Sequence, residues 1–444
     1  MRGYQLMAGQ TGMTGKKIVL TTIGTRGDVQ PYMALALGLK RAGYRVKLAA
    51  PANFQDWVEG AGLEFARCGP DTKAFVTSPE IRAYLARGVF YQAMNARKVG
   101  LSLLKSITED IYHATEDADA VIFHPKADFS VDVAEAKNIP AIMAAFQPFT
   151  PTIEFPLMLL PWGSLGPWLN KASYGLIYLS RALYNGYLNE CRRDYLDLPP
   201  RRFGAHPTAI NGSIVPILYA FSEHVVPRPK DWPADAHITG YWFLDENPDW
   251  VLPQDLREFI EAGDAPIYIG FGSMPLKDAQ GAAEMFGAAI RANGMRAVMA
   301  RGWADFIANE IADGVASGGE GGPNDRGDIF FLDEAPHEHL FGAMSGVVHH
   351  GGAGTTSAGL RAGCPTLVCP LLVDQPFWGR RVAGLGCGPS PLPPKTWSVE
   401  VLAASLKALT ENTAYRSEAR LMGARLEAED GVGRAVGIVQ DLVG

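Results

Sequence analysis

Among its 444 residues the chain has only five cysteines (Cys68, Cys191, Cys364, Cys369 and Cys387), and no two are spaced as a CxxC pair. That odd, scattered set argues against a disulfide framework or a structural zinc site and favours a reducing, cytoplasmic compartment. No apolar run reaches the roughly 18 residues a membrane span needs. Positive charge is not in excess: 40 basic against 47 acidic side chains leave a net charge of −7, which disfavours nucleic-acid binding through a bulk positive field. P-loop chemistry is excluded because no GxxxxGK[ST] exists. Nicotinamide dinucleotides are excluded as well. The first strand-to-helix loop offers only Gly24 and Gly27, and the second offers Gly270 and Gly272 with Pro275 where a third glycine belongs. A metal-dependent transferase would carry an Asp-x-Asp after a strand. Asp117-Ala118-Asp119 precedes one, so it reads as a solvated helix end, and neither a metal nor a cofactor is expected.

What is present is an ordinary globular composition, 47% apolar, 10% aromatic and 20% charged. At about 150 residues per domain the length suits two large units or three smaller ones. Residues 1–16 read as a disordered leader, since their Gly/Thr/Gln content lacks the apolar core of a signal peptide. From Lys17 the pattern turns to short β-branched runs closed by glycine, alternating with helical stripes. Strands are expected at 17–24, 44–50, 117–124, 140–148 and 217–223, with helices between them. After a Pro-, Trp- and Asp-rich stretch at 227–264, read as an interdomain linker and hinge, the rhythm resumes. Strands are expected in Ala265–Pro275, Met295–Ala300, Asp328–Leu332, Gly346–His350 and Pro365–Cys369, with a glycine-laden loop at 317–327. Such alternation predicts an α/β fold of two Rossmann-like domains, 17–226 and 265–444, facing across a cleft. Whether the C-terminal helices pack back on the first domain stays open.

Three local features carry chemistry. Residues 150–202 are dense in Trp, Tyr, Leu and Pro, and read either as loops with one or two helices lining an apolar cavity or as plain core. Around His350, a strand, the turn Gly351-Gly352-Ala353-Gly354 and a helix starting with Thr355 would present free backbone N–H groups and the positive helix end to an anion. The bland alternative is a tight turn that binds nothing. Asp28 follows the first strand; as a residue just before a helix it would serve as an N-cap, contributing about 1 kcal/mol. His124 closes another strand and, as a lone histidine, reads as structural, and Asp128 reads as a helix cap.

The stretch His349–Val382 closely resembles the donor-binding signature of nucleotide-sugar glycosyltransferases with the GT-B fold, nearest in look to sterol 3-β-glucosyltransferases and bacterial antibiotic glycosyltransferases. The elements stand as His350-Gly351-Gly352-Ala353-Gly354-Thr355, Gly363-Cys364-Pro365 and Asp374-Gln375-Pro376-Phe377-Trp378. Ile23–Pro31 resembles the Gly-x-x-Gly-Asp-x-x-Pro loop of the same enzymes, where related plant proteins place a catalytic His at the position of Asp28. Gly270–Met274 resembles the loop after the first donor-domain strand, and Phe331–Phe341 the base-binding segment. The resemblance implies an acceptor-binding first domain and a donor-binding second domain. It also implies that His350, Gly354 and Thr355, with Ser273, hold the diphosphate of the donor, and that Gly351 and Gly352 belong to the same donor-binding turn. Asp374 and Gln375 would hold sugar hydroxyls.

The expected activity is inverting transfer of a hexose, glucose first, from a UDP-sugar to a hydroxyl of a sterol, triterpenoid or polyketide acceptor. The UDP-sugar is a co-substrate rather than a cofactor. Asp28, taken as solvent-exposed with a value near 4, would be a weak base acting in concert with bond formation, assisted by His124. A nucleotide-sugar isomerase of the same architecture and a non-catalytic lipid binder are the alternatives. No nucleic-acid partner is expected, and contact with a membrane surface stays open.

Overall fold

A computed structural model describes residues 15–78, 81, 89–182, 184–202, 204, 206–244, 250–272, 276, 278–301, 327–333 and 335–444. Most of the leader and of the glycine-laden loop lies outside them. The chain divides into two compact units that do not follow its linear order. The first holds the chain through Ala144, then Tyr178–Leu218 and Val432–Gly444; the second holds Ala145–Ile177 and Tyr219–Gly431. Residues 227–264 therefore belong to the second unit, where Trp232 is buried and stacks on Tyr219 with ring centroids 4.8 Å apart.

In the first unit, β1 (Lys17–Thr21), β2 (Arg45–Ala50), β3 (Glu64–Arg67), β4 (Ala120–Phe123), β5 (Ala141–Ala145) and β6 (Ile217–Tyr219) lie in the order β3-β2-β1-β4-β5-β6. The pairs β1–β2, β1–β4, β2–β3 and β4–β5 are parallel. Ile18, Val19, Leu20, Val121, Ile122 and Phe123 are wholly buried, as central parallel strands covered on both faces must be, which is why these runs are continuous and apolar rather than alternating. Helix α1 (Arg26–Arg41) follows β1 and turns Val29, Tyr32, Leu35, Ala36 and Leu39 inward. A Cβ at Gly38 would stand 2.5 Å from Val432 Cγ1, so α1 and the C-terminal segment of this unit approach more closely than any larger side chain allows.

The second unit repeats the plan. β7 (Ile267–Gly270), β8 (Ala297–Ala300), β9 (Ile329–Leu332), β10 (Gly346–His349) and β11 (Thr366–Val368) form a parallel sheet in the order β9-β8-β7-β10-β11. In both units the strand that comes first in the chain is flanked by the second and the fourth. The chain thus leaves two neighbouring strands in opposite directions and opens a crevice at their carboxyl ends.

Residues 150–202 form three helices, α2 (Pro167–Ser173), α3 (Gly175–Ala182) and α4 (Asn185–Leu196), rather than one or two. The α2 region is not simple core: Trp162 and Trp168 are 55% and 79% exposed, beside exposed Leu159 and Leu169. Asp128 does stand at a helix start, but its carboxylate makes no cap bond and instead pairs with Arg181 of α3. Buried Asp132 takes Arg192 of α4 and Arg201 (2.6 Å), so charge pairs hold α3 and α4 to the sheet of the first unit.

Asp117 and Asp119 are exposed just after a helix, as a solvated helix end is, and they carry charge pairs besides. Asp117 bridges Lys17 at 2.5 Å and Lys47 at 2.7 Å, and Asp119 accepts the Lys17 backbone N–H at 2.6 Å. Lys17 and Lys47 are almost fully buried at the edge of β1 and β2, and a buried ammonium needs a counter-charge. Burial raises the Asp117 carboxyl, but the bonds from Lys17 and Lys47 outweigh it and hold it well below the usual range. A carboxylate depressed in the folded state stabilises the fold above its unfolded value and loses that contribution as pH falls. Asp117→Asn should therefore destabilise the protein at neutral pH by about 1–2 kcal/mol, a figure reduced because the side chain is half exposed. The deficit against the parent should shrink below about pH 4 in a series of chemical denaturations.

Candidate active site

The loop leaving β1 runs through Thr22 to Thr25 and enters α1. Thr25, not Asp28, is the N-cap; Asp28 stands at the third helical position and closes a capping box, its Oδ2 accepting the Thr25 N–H at 2.8 Å. A Cβ at Gly24, whose φ is +141°, would fall on the Asp28 carboxylate, so glycine leaves the space that side chain fills. The other carboxylate oxygen, Oδ1, lies 3.2 Å from Lys126 Nζ and 3.6 Å from His124 Nε2. This proximity follows from register. Thr21 of β1 lies beside Phe123 of β4, so the residues that follow both strands open into the same crevice.

Asp28 is not solvent-exposed: its side chain is 17% exposed. Burial pushes its carboxyl up, yet the Lys126 ammonium, with His124 and the Thr25 N–H, brings the balance below the ordinary value. His124 is buried, and burial together with Lys126 pushes it down to about 3. Its imidazole is neutral at physiological pH. Its Nδ1 accepts the Lys126 backbone N–H at 3.2 Å, which leaves the ring proton on Nε2, the nitrogen facing Asp28. The Tyr32 ring packs edge-on against the imidazole at 6.1 Å, and its hydroxyl donates to Ala144 O at 2.9 Å.

In the second unit the strand β10 ends at His349, and helix α5 (Ala353–Arg361) begins after Gly351 and Gly352. His349 is wholly buried; its Nδ1 accepts the Gly351 N–H at 2.9 Å and pins the turn. Gly351 has φ +94°, and a Cβ there would meet Val368 Cγ1 at 2.5 Å and Gln375 O at 3.1 Å. The His350 ring lies over the turn, since a Cβ at Gly352 would stand 2.7 Å from its Nε2, and the loop after β7 approaches it, Gly272 being within 3.5 Å by the same test. Burial pushes His350 down to about 4, and its Nδ1 is buried without a partner. The first helical bond runs from Thr356 N–H to Gly352 O. The N–H groups of Ala353, Gly354 and Thr355 precede the helical ladder, Gly354 is exposed, and no atom lies within 4 Å of where its Cβ would be. Ser273 lies outside the described residues.

Asp374 and Gln375 start helix α6 (Gln375–Gly384) and are both buried. Asp374 Oδ2 accepts the Trp378 indole N–H at 2.8 Å and the Gln147 amide at 3.0 Å. Gln375 Oε1 accepts two backbone N–H groups, from Leu371 (2.7 Å) and Leu372 (2.9 Å), so it shapes the loop that presents Asp374. Lys126, Gln147 and His349 were not singled out from sequence. Lys126 alone left a signal, a cation directly after the His-Pro that closes a strand. Among the described residues no three His, Cys, Asp or Glu side chains gather as a metal site requires, and no helix is long and apolar enough to cross a membrane.

Two parallel α/β units, each with a loop site at the carboxyl ends of its central strands, define the GT-B class of glycosyltransferase. Solved structures agree on the fold. The calicheamicin glycosyltransferase CalG4 superposes with a TM-score of 0.67 at 18% identity, over 97% of this chain and 99% of its own. The glycosyltransferase VinC in complex with dTDP gives 0.65 at 18%, over 96% and 99%. Residues 18–156 match the glycosyltransferase family 28 N-terminal domain, and residues 326–440 the erythromycin biosynthesis protein CIII-like C-terminal domain. Two sterol 3-beta-glucosyltransferases of Arabidopsis thaliana are each 36% identical over 95% of the chain, and one of Neurospora crassa is 34% identical over 96%. The chain belongs to the family of GT-B glycosyltransferases that includes these sterol 3-beta-glucosyltransferases. It spans about two thirds of the plant relatives' length (67% and 64%) and 27% of the fungal one.

The two glycines of the turn should separate in a stability measurement. Gly351→Ala meets both a positive φ and a packed neighbour, and should cost about 2–4 kcal/mol. Gly354→Ala enters open space in the first helical turn and should hold stability within about 1 kcal/mol of the parent, or raise it. Thermal melting of the two variants checks the contrast.

Proposed function

We propose that the protein transfers a hexose, glucose first, from a UDP-sugar to a hydroxyl of a hydrophobic acceptor of the sterol class, with inversion and without a metal ion. The observation that carries this reading is the Asp28 carboxylate set at a strand's carboxyl end beside the Nε2 of a neutral, buried His124. The family supports the donor and acceptor classes, since its curated plant and fungal members are sterol 3-beta-glucosyltransferases. The exposed apolar side chains Trp162, Trp168 and Leu169 suit an acceptor met in an apolar phase or at a membrane surface.

In this mechanism the acceptor oxygen attacks the anomeric carbon of an α-linked donor from the face opposite the diphosphate. The new C–O bond forms as the bond to the phosphate oxygen breaks, and its electron pair departs with UDP. The acceptor proton passes to Asp28. A carboxylate held below its ordinary value is a weak base, so the proton moves as the bond forms rather than before it. The first-turn N–H groups of α5 and the His350 ring meet the charge that develops on the diphosphate. Fixed donors aimed at such charge are worth about 3–4 kcal/mol each and fill the place of a cation. Asp374 takes a sugar hydroxyl, with Trp378 and Gln147 holding its other side.

Incubation with UDP-glucose, with and without a sterol, tests the reading. Release of UDP in step with glucosylated sterol, identified by mass spectrometry and unaffected by EDTA, is expected. A change of the sugar without acceptor would mean an isomerase instead, and binding of sterol with no UDP release a lipid-binding protein. Asp28→Asn keeps the bond from Thr25 but loses basicity, and should lower kcat by about 100-fold or more with little change in UDP affinity. In the second unit, His350→Ala should weaken UDP and UDP-glucose alike. Asp374→Ala should weaken UDP-glucose by about 1–3 kcal/mol and leave UDP nearly unchanged. Calorimetry of both ligands on both variants checks the split; equal losses of UDP binding would refute it.

A further inference from the structure

The crevice of the first unit holds a charged group that the transfer step does not use. Lys126 sits in the short turn Pro125–Ala127 directly after β4, and it engages the candidate base twice. Its backbone N–H donates to His124 Nδ1 at 3.2 Å, and its ammonium lies 3.2 Å from Asp28 Oδ1. The carboxylate is thereby surrounded on three sides: by Lys126 and the His124 Nε2 at Oδ1, and by the Thr25 N–H at Oδ2. Tyr32, from the next turn of the same helix, is the other titratable group that feels its charge; burial raises the phenol first and Asp28 raises it further, so it stays neutral and adds no counter-charge. His124 is neutral too. Lys126 is thus the full positive charge on the carboxylate, set against a burial that would otherwise protonate it.

We infer that Lys126 is a positioning residue for the transfer reaction, whose ammonium keeps Asp28 ionised and oriented at the crevice so that the enzyme works toward the acid side of neutrality. This rests on Asp28 being the proton acceptor. The lysine side chain is 57% exposed, so it leans on the carboxylate from the solvent side and can be exchanged without opening the core. Replacing it leaves the backbone N–H, and with it the His124 tautomer, in place, which isolates the ammonium. The sign follows from the charge balance. A carboxylate depressed by a cation stays ionised as pH falls; with the cation gone, burial makes it take up a proton at higher pH, and the proton acceptor is lost there first.

The test is the pH profile of kcat/KM for glucosyl transfer, measured on the full chain for the parent, Lys126→Met, Lys126→Gln and Lys126→Arg, with melting temperatures to confirm folding. The ratio of kcat/KM at about pH 5.5 to that at about pH 8 should fall several-fold in both Lys126→Met and Lys126→Gln, while Lys126→Arg should restore the parent ratio. UDP affinity, read separately by calorimetry, should not follow that ratio. A parent-like profile in both neutral variants overturns the inference and leaves the assignment of Asp28 intact, provided Asp28→Asn is inactive. A loss of equal size at every pH also overturns it, because the lysine would then act by binding substrate. Full activity in Asp28→Asn would overturn both.

Discussion

Each half of the chain builds a parallel sheet whose first strand is central and whose fourth strand is its neighbour, and the site geometry follows from that arrangement. Parallel strands need crossovers, and the crossovers after these two strands go to opposite sides, so the loops between them cannot cover the sheet's carboxyl edge. Thr21 lies beside Phe123, and Gly270 beside His349. The residues that follow are therefore brought together from positions roughly eighty to a hundred apart in the chain. Asp28 and His124 come to 3.6 Å in the first unit, and Gly272 and His350 stand side by side in the second.

Both crevices then use burial to set protonation. His124, His349 and His350 are each pushed below the imidazole's ordinary value by loss of solvent, so none carries a resting positive charge. In the first unit Nδ1 of His124 takes a backbone N–H, and in the second Nδ1 of His349 does the same, so each ring's tautomer is decided by a turn two residues on. Neutral imidazoles are hydrogen-bonding parts with a fixed orientation, whereas Asp28 and Lys126 bring a charge pair to the first crevice.

The loop before α6 stores strain in support of a single carboxylate. Val373 is β-branched and adopts φ +56°, a left-handed conformation such residues rarely take, costing about 1–3 kcal/mol. Two bonds to Gln375 Oε1 and the burial of Asp374 against Trp378 over-determine the turn. Leu372 and Val373 are left more than half exposed beside it. Gln375 thus serves the loop's shape, and Asp374 is the group presented.

Much of this was legible in the sequence because it is local. Continuous buried strands require apolar β-branched runs, a turn with positive φ and a close neighbour requires glycine at 351, and the spacing from His350 to Gln375 is a fixed pattern along one segment. Asp28 and His124 became a candidate pair only through the resemblance of their loops to those of the family, since by residue type alone they read as a cap and a structural histidine. What the tertiary structure alone decided depends on groups far apart in sequence. The half-exposed Asp117 carboxylate holds two buried lysines 100 and 70 residues away. Thr25 rather than Asp28 caps the helix, because the Asp28 carboxylate turns back on the Thr25 N–H. The position of Lys126 against Asp28, and of Gln147 against Asp374, carries no local pattern, since an ion pair or amide bond needs only proximity and places no demand on neighbouring residues. Protonation belongs to the same class: a histidine's state follows from how much water the finished fold removes from it, and no stretch of sequence states that quantity.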